Sequence, residues 1–419
     1  MIWDCYSNGD FAEIKHLYVL NPQNIYRIIF KNRIFNIFND MNLPYLGLVF
    51  NFPQTKSFSM DFCSEMLLNQ LQQDLHLPFK PAAIVPQEYY QILTRIPWLG
   101  RKFPIRTLET MLNNLWVYPQ ALKKVRDRFQ YFHICDHSYA NLVHDLPAER
   151  TGVFCHDLDA FRSLLEPKKY RRGWHYNEGQ KHVLRGMQKA KFVFYTTNEV
   201  RQEIEHYQLL DPNKLIQAPL GIASEFTAIA AQKPSKVLES IGQQPFLLNV
   251  SSNQVRKRLD ILLQAFAGIH ERFPELKLVR VGAEWTPQMQ KLIQSLGIGN
   301  RIIRLQGLER SELAELYRQA TITLVTSESE GFGLPVIEAL ACGSPVVASD
   351  IPVLREVGGN AVIFCPLTRI DDWVTVLENH LQAPNAQHSK GDRLAQAAKY
   401  SWAAHAKTIS DAYEQLSKL

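Results

Sequence analysis

One segment of the sequence combines a glycine-rich turn with two glutamates. It spans residues 327–343, follows a strand-like run and opens a helix-like one. Gly331 and Gly333 carry no side chains, so their backbone can approach a ligand closely, and a helix start offers free N–H groups to an anion. Glu330 on the loop and Glu338 in the helix would flank that anion site, and carboxylates accept hydrogen bonds from hydroxyls. The pattern indicates a ligand with an anionic centre and hydroxyls on either side of it.

A basic pair lies upstream, where a strand-like run at 246–250 passes into the next helical pattern. Its members are Arg256 and Lys257. Fixed cations stabilise the negative charge that a departing diphosphate gains in a transition state. Cations at a helix start are more often simply solvated, so the functional interpretation of this pair depends on the glutamate segment.

These segments resemble glycosyltransferase family 4, whose members have the GT-B fold. The matching residues are EGFGLPVIE at 330–338, ACGSPVVASD at 341–350 and REVGG at 355–359. The resemblance covers roughly residues 45–419 and is strongest over 246–366.

The resemblance implies a role for each matched residue. Glu330 would bind hydroxyls of the transferred sugar, Glu338 the ribose hydroxyls, and Arg256 with Lys257 the diphosphate. The implied donor-binding set is Arg256, Lys257, Glu330, Gly331, Phe332, Gly333, Leu334 and Glu338. Many members of the family also carry a glycine and a basic residue earlier in the basic loop, where this sequence has Ser251 and Ser252.

The N-terminal half resembles the family more loosely. His156 follows a strand-like run, at a position where members often have a histidine that faces the cleft near the reacting carbon. We therefore expect His156 to join Glu330, Arg256 and Lys257 as a catalytic residue, by orienting the sugar or the acceptor through a hydrogen bond. Asp136 and Ser59 are further candidates for the same cleft. A lone histidine after a strand is often structural, and that alternative stays open for His156.

Short apolar runs alternate with helical patterns along the chain, which predicts parallel sheets covered by helices. The sequence predicts an α/β protein of the GT-B type, with two Rossmann-like doubly wound domains that face a central cleft. Residues 1–44 are assigned to an N-terminal extension, 45–222 to the acceptor domain, 223–244 to a linker, 245–400 to the donor domain and 401–419 to a C-terminal helix that crosses back to the first domain.

Two expectations in the second domain concern element boundaries. Residues 256–272 are predicted to form one helix with an apolar face. Residues 380–396 are polar and are predicted to form a loop before the last helix.

Composition sets limits on the class of protein. The chain has 419 residues, 46% hydrophobic and 21% charged, with a formal net charge of +5. This charge is too small to favour a nucleic-acid binder. The sequence shows no apolar run of membrane-spanning length and no secretory pattern at its start. The six cysteines lack metal-ligand spacing. We therefore expect buried reduced thiols in a cytoplasmic protein.

The overall hypothesis is a retaining glycosyltransferase that needs no cofactor and no metal, with a nucleotide sugar as donor. Its acceptor would be a lipid, a glycan or a small molecule, in the synthesis of a cell envelope or a polysaccharide. Basic and bulky apolar residues over 98–126 suggest peripheral contact with the inner face of a membrane. A GT-B sugar-nucleotide epimerase and a non-enzymatic nucleotide-sugar-binding relative remain as alternatives.

Overall fold

A computed structural model describes residues 27–29, 43–52, 58–86, 109–229, 236–242, 244–383 and 388–418. The chain divides into two compact units. Unit 1 comprises Met1–Pro219 and Trp402–Leu419, and unit 2 comprises Leu220–Ser401.

Each unit contains one sheet in which all neighbouring strands are parallel. The strands of unit 1 are β1 (Arg27–Ile29), β2 (Tyr45–Val49), β3 (Lys80–Val85), β4 (Tyr131–Ile134), β5 (Thr151–Cys155), β6 (Phe192–Tyr195) and β7 (Leu215–Gln217). Those of unit 2 are β8 (Phe246–Val250), β9 (Lys277–Val281), β10 (Ile302–Leu305), β11 (Ile322–Val325), β12 (Val346–Ser349) and β13 (Ile363–Cys365).

Helices follow most of the strands. They are α1 (Phe58–Gln73), α2 (Tyr118–Lys123), α3 (Arg162–Leu165), α4 (Trp174–Lys189), α5 (Asn198–His206), α6 (Lys236–Ile241), α7 (Leu259–Ile269), α8 (Pro287–Ser295), α9 (Arg310–Gln319), α10 (Leu334–Ala341), α11 (Pro352–Gly358), α12 (Ile370–Gln382), α13 (Lys390–Ala397) and α14 (Trp402–Ser417). A π-helix at Asn113–Val117 leads into α2.

The strand order of each sheet reverses at its centre. Unit 1 has the order β1-β3-β2-β4-β5-β6-β7 and unit 2 the order β10-β9-β8-β11-β12-β13. The order of unit 2 corresponds to the 3-2-1-4-5-6 arrangement of Rossmann folds. The predicted pair of doubly wound Rossmann-like domains is confirmed. A crevice opens where the order reverses, beyond the carboxyl ends of β2 and β4 in unit 1 and of β8 and β11 in unit 2.

The strands are apolar runs because both faces of each sheet are covered. In unit 2, α7 buries Leu259, Leu262, Leu263 and Phe266 on the face predicted from their spacing. The helix nevertheless begins three residues later than predicted. Residues Val255–Lys257 form a 3₁₀ turn, and Arg258 then adopts a left-handed conformation with φ of 45°.

The segment predicted as a loop, 380–396, is largely helical, so that prediction is wrong. Helix α12 continues to Gln382, and α13 occupies Lys390–Ala397. Ser389 and Asp392 form a capping box that starts α13. Such a box satisfies two backbone N–H groups at once, which stabilises the start of a short polar helix.

Two other predicted segments also contain secondary structure. Helix α6 lies inside the predicted linker 223–244. The predicted extension 1–44 lies mostly outside the described residues, but β1 within it pairs with β3 at the edge of the sheet.

The C-terminal helix α14 belongs to unit 1 and is held there by a buried tyrosine. The hydroxyl of Tyr413 donates to the carbonyl oxygen of Phe132 at 2.7 Å and accepts from the N–H of Gly152 at 3.1 Å. Its ring has no exposed surface. The last helix therefore joins β4 and β5 of the first sheet.

The cysteines behave as the composition suggests within the described residues. Cys63, Cys135, Cys155, Cys342 and Cys365 are all buried free thiols. Among the helices that the structure describes, we find none with the length and apolar character needed to cross a membrane.

Two glycines of α4 give a matched pair for testing the packing of unit 1. A Cβ at Gly186 would lie 1.9 Å from the carbonyl oxygen of Ala140, whereas a Cβ at Gly179 would meet only the Cε of Met111, at 3.6 Å. We expect Gly186→Ala to lower the free energy of unfolding by about 2–3 kcal/mol, because the backbone contact must open. Denaturant unfolding of the variant measures this change.

The control is Gly179→Ala in the same helix. Alanine loses less conformational freedom in a helix than glycine does, so this variant should be up to about 1 kcal/mol more stable than the wild type. Equal effects of the two substitutions would contradict the close packing of α4 on residues 137–145.

Candidate functional site

The candidate donor site of unit 2 lies where the strand order reverses. The loop after β8, residues 251–258, and the loop after β11, residues 326–333, leave adjacent parallel strands at the same edge of the sheet. Ligands of open α/β sheets bind at this place. The topology therefore brings together two segments that are about 75 residues apart in the sequence.

An ion cluster joins the two loops. Nζ of Lys257 donates to Oε1 of Glu330 at 2.6 Å, and Nη1 of Arg256 lies 3.4 Å from Oε2 of the same carboxylate. The side chain of Glu330 is only 7% exposed. Burial acts to raise the pKa of Glu330, but Lys257 and Arg256 outweigh it and hold the pKa below the usual range. Glu330 is therefore ionised at neutral pH.

Serine and threonine groups that the sequence analysis did not single out support this cluster. Oγ of Ser327 donates to Oε1 of Glu330 at 2.7 Å. Nη1 of Arg256 donates to the carbonyl oxygen of Ser329 at 2.8 Å, and Oγ1 of Thr326 donates to that of Lys257 at 2.9 Å. The Ser-x-x-Glu spacing was the available signal for Ser327. The two loops are thus joined by backbone contacts as well as by charge.

The glycine turn positions the start of α10 beside this cluster. Gly333 has φ of 94° and precedes Leu334, the first residue of the helix. A Cβ at Gly333 would lie 2.7 Å from Leu354, so glycine is needed both for the conformation and for the space. Phe332 is buried and its ring packs edge-on against Tyr400 at 5.4 Å. The helix start therefore has a fixed position next to Glu330.

Glu338 occupies a separate environment, one turn further into α10. The buried hydroxyl of Tyr317 on α9 donates to its Oε2 at 3.0 Å. Burial raises the pKa of Glu338 to about 7, and the opposing effects of Tyr317 and Arg310 are smaller. Tyr317 was not among the residues predicted from the sequence. Its hydroxyl leaves Oε1 of Glu338 available to accept a bond from a ligand.

The site of unit 2 can therefore bind two kinds of group. The cations can meet a phosphate, and the two glutamates can accept hydrogen bonds from hydroxyls. A phosphate that took Lys257 and Arg256 away from Glu330 would leave a nearly buried carboxylate without its partners, which typically costs about 3–5 kcal/mol. A ligand with a hydroxyl next to its phosphate avoids that cost, because the hydroxyl donates to Glu330.

Unit 1 carries a polar cluster at the reversal point of its own sheet. Asp136, at the end of β4, accepts from Nδ2 of Asn51 at 3.0 Å and from the N–H of Ser138 at 2.8 Å. Burial acts to raise the pKa of Asp136, but the neighbouring His137 and the hydrogen bonds from Ser138 outweigh it and lower the pKa below its usual value. Oδ1 of Asn51 and Nε2 of His137 are buried and have no hydrogen-bond partner among the described residues.

The predicted histidine lies beneath this cluster. His156 is only 4% exposed and packs on Phe154 at a ring distance of 4.6 Å. Its Nε2 donates to the carbonyl oxygen of Cys135 at 2.9 Å. This leaves Nδ1 as a buried acceptor, with no partner in the part of the chain that the structure describes. Burial lowers the pKa of His156, against the effect of Asp136, so the ring is neutral.

The first turn of α1 contributes a carboxylate that the sequence analysis did not select. Ser59 is exposed in this turn, whereas Asp61 is partly buried. Burial, and then the nearby charges of Glu65 and Asp136, raise the pKa of Asp61 to about 6. Asp61 is therefore a second candidate for contact with a hydroxyl-bearing ligand.

Among the described residues, no group of three or more histidine, cysteine, aspartate or glutamate side chains could hold a metal ion.

Comparisons with known proteins show which sequences and structures this chain resembles. Residues 232–399 match the family described as glycosyl transferases group 1. The serotype-specific mannosyltransferase WbdA of Escherichia coli is 26% identical over 277 residues, which cover 64% of this chain and 34% of that protein. D-inositol 3-phosphate glycosyltransferase 2 of Catenulispora acidiphila is 34% identical over 243 residues, which cover 54% of this chain and 56% of that protein. The matches thus span about a third to about half of these relatives.

A solved structure shares the fold. The crystal structure of Anabaena Alr3699/HepE in complex with UDP-glucose superposes with a TM-score of 0.67, covering 89% of this chain and 100% of that chain at 14% sequence identity. The chain therefore has the GT-B fold, and its residues 232–399 are similar to the glycosyl transferases group 1.

Proposed function

We propose that this protein is a retaining glycosyltransferase, which moves a sugar from a nucleotide-sugar donor to a lipid, a glycan or a small-molecule acceptor. The observation that carries the proposal is the contact of Glu330 with both Lys257 and Arg256 at the crevice of unit 2. A sugar diphosphate fits this cluster because its phosphates can take the cations while its sugar hydroxyls satisfy the carboxylate.

Different residues of unit 2 bind different parts of the donor. Arg256 and Lys257 neutralise the charge that develops on the departing diphosphate, an interaction that strengthens in the transition state. Glu330 holds hydroxyls of the transferred sugar, and Glu338 accepts from the ribose hydroxyls. Backbone N–H groups at the start of α10 bind the distal phosphate.

The acceptor side is assigned to the polar cluster of unit 1. Asp61 and Asp136 accept hydrogen bonds from acceptor hydroxyls, and Nδ1 of His156 is the ring atom that can receive another. We propose that the bond between the anomeric carbon and the phosphate oxygen breaks and that the acceptor oxygen bonds to the same face of that carbon. The leaving phosphate takes the acceptor proton, and attack on the same face gives retention. A product with inverted configuration would contradict retention, and transfer abolished by EDTA would contradict a mechanism without metal.

The relatives support the classes of donor and acceptor. Their names report a mannosyltransferase and an inositol-phosphate glycosyltransferase, and the similar structure was solved with UDP-glucose. We extend to this protein a nucleotide-sugar donor, a hydroxyl-bearing acceptor and a cytoplasmic role in cell-envelope or polysaccharide synthesis. A GT-B epimerase would instead turn over the nucleotide sugar without an acceptor product.

Peripheral membrane contact is part of the proposal. Residues 98–108 of the predicted contact lie outside the described residues, but the helical segment after them exposes apolar side chains. Leu112 is 47% exposed, Leu115 37% and Trp116 58%. Met111 of this segment lies beside Gly179 of α4.

A basic segment that was not predicted from the sequence leads into α4 and includes its first two residues. Residues 167–175 are all exposed and contain four lysines and arginines, Tyr170 and Trp174, with no acidic residue. Because α4 also borders the segment around Met111, the cations and the apolar side chains can act on one anionic surface.

Nucleotide binding gives the first test of the donor site. A thermal-shift series with UDP, GDP, ADP and dTDP should show one nucleotide that raises the melting temperature by several degrees. A ligand at 100 times its dissociation constant adds about 2.7 kcal/mol of stability. Glu338→Ala should lose the response, and the control Glu271→Ala, which removes an exposed carboxylate elsewhere in unit 2, should keep it.

If no nucleotide shifts the melting temperature of the wild type, the proposed donor site is refuted. A response in both the wild type and Glu338→Ala would remove only the role of Glu338.

The pH dependence of binding tests the environment of Glu338. Ribose hydroxyls need the ionised carboxylate as acceptor, and its pKa is raised to about 7. Nucleotide affinity should therefore fall roughly tenfold between pH 8 and pH 6. Tyr317→Phe removes a bond that favours the ionised form, so the midpoint should move to higher pH. Isothermal titration calorimetry across this range measures both effects.

Two controls isolate this effect. Glu338→Gln supplies the baseline, since only the nucleotide then titrates. Tyr400→Phe removes a hydroxyl that donates to the carbonyl oxygen of Glu356 at 3.2 Å, so it should leave the midpoint unchanged. Equal midpoints in the wild type and Tyr317→Phe would contradict the proposed support of Glu338.

Flotation with liposomes tests the membrane surface. The wild type should float with vesicles that contain phosphatidylglycerol and stay unbound with phosphatidylcholine alone. Trp116→Glu and the double variant Arg171→Glu/Arg172→Glu should each reduce flotation severalfold. Leu75→Glu is the control, since Leu75 is 89% exposed elsewhere in unit 1. A wild type that stays at the bottom with both kinds of vesicle refutes the membrane contact.

A further inference from the structure

A buried arginine lies next to the candidate phosphate loop. Arg280 is the penultimate residue of β9, directly opposite Asn249 of β8. Its side chain has no exposed surface. The loop 251–258 begins two residues beyond Asn249, so the guanidinium sits under the start of that loop.

The hydrogen-bond partners of Arg280 among the described residues are all neutral. Nη1 donates to the carbonyl oxygen of Ala283 at 2.6 Å. Nη2 donates to the carbonyl oxygen of Ser251 at 3.2 Å and to Oδ1 of Asn253 at 2.6 Å. The guanidinium also lies 4.4 Å from the ring centre of Trp285. Two loops at the carboxyl edge of the sheet are therefore tied together by one side chain.

The positive charge of Arg280 is not neutralised within the described part of the chain. It makes no ion pair there, its Nε has no hydrogen-bond partner, and the neighbouring Arg304 is itself paired with Glu284. Burial and then Arg304 lower the pKa of Arg280 to about 10, which still leaves it charged at neutral pH. A buried charge without a counter-ion is unfavourable, so such a group needs a compensating role or partner.

The backbone is shaped to admit this side chain. A Cβ at Gly282 would lie 2.4 Å from the carbonyl oxygen of Ser251 and 2.7 Å from Nη2 of Arg280. Only glycine allows this approach. The loop itself has Ser251 and Ser252 where many members of the resembled family have a glycine and a basic residue. Arg280 on the adjacent strand β9 thus supplies a cation next to a loop that lacks one at Ser251 and Ser252.

We propose that Arg280 is a phosphate-specific positioning residue, which fixes the loop 251–253 and supplies buried positive charge that a bound diphosphate neutralises. The proposal rests on the proposed nucleotide-sugar site. Arg280 acts through the loop and the local potential, since its side chain is fully buried. It therefore affects the phosphate part of the ligand and not the base or the ribose.

Binding of a nucleoside and of its diphosphate separates this role from a purely structural one. The base is the one selected in the thermal-shift series, and calorimetry measures both affinities. Arg280→Met should weaken diphosphate binding at least tenfold, about 1.4 kcal/mol. It should change nucleoside binding less than twofold. The salt dependence of diphosphate binding should also become weaker, because one cation is gone.

Two further variants keep the test decisive. Arg304→Met removes a neighbouring arginine that has its own carboxylate, so both affinities should stay within twofold of the wild type. Asn253→Asp is close to isosteric and gives Arg280 an internal counter-ion at its present Oδ1 position. It should fold with a melting temperature near that of the wild type and should also lose diphosphate affinity at least tenfold.

The outcomes are distinguishable. Unchanged diphosphate affinity in Arg280→Met, or in Asn253→Asp if the first variant does not fold, would overturn the inference. Equal losses for nucleoside and diphosphate would also overturn it, since they indicate a general structural role. A wild type that binds no nucleoside diphosphate would refute the proposed function itself.

Discussion

The candidate donor site depends on one constraint of parallel sheets, namely that neighbouring strands end at the same edge. Where the order of unit 2 reverses, the loops after β8 and β11 leave the sheet side by side. This placement sets Lys257 2.6 Å from Glu330, although 73 residues separate them. The glycine turn, the serine that supports Glu330 and the start of α10 are all arranged around that contact.

The charged side chains of this site contact one another in the structure. Glu330 takes both cations of the basic pair, and separating such a nearly buried pair is unfavourable. A simple anion would have to break it without replacing the lost partners of Glu330. A ligand that joins a phosphate to hydroxyls can exchange both sides of the contact at once. The contact between Glu330 and the basic pair therefore favours a sugar phosphate over an isolated phosphate as the ligand.

The two units carry different polar side chains at the reversal points of their sheets. Unit 1 also places polar residues at its reversal point, where Asn51 and Asp136 follow β2 and β4. Unit 1 has histidines and carboxylates there, whereas unit 2 has arginines, a lysine and two glutamates. Such a difference suits hydroxyl binding in unit 1 and phosphate binding in unit 2. The fold supplies the crevices, and the loop residues decide what binds in them.

The sequence by itself determined the fold class, the strand at 246–250 and the residues of the basic pair and the glutamate segment. Buried parallel strands read as apolar runs, and a glycine turn before a helix is a local pattern, so both are visible in the chain. Helix α13 was missed because its signal was a single capping box in a polar segment. The start of α7 was placed too early because the left-handed Arg258 has no clear local signature.

Only the tertiary structure decided which side chains contact the residues of the candidate site. Tyr317 and Arg280 do not stand out in the sequence, since a tyrosine in a helix and an arginine in a strand usually have ordinary roles. Their significance comes from contacts between different elements, such as the bond of Tyr317 to Glu338 and that of Arg280 to Asn253. Burial and the nearby charges then set the pKa values of Glu338 and Asp61. These quantities depend on distances between segments far apart in the chain, which local patterns do not contain.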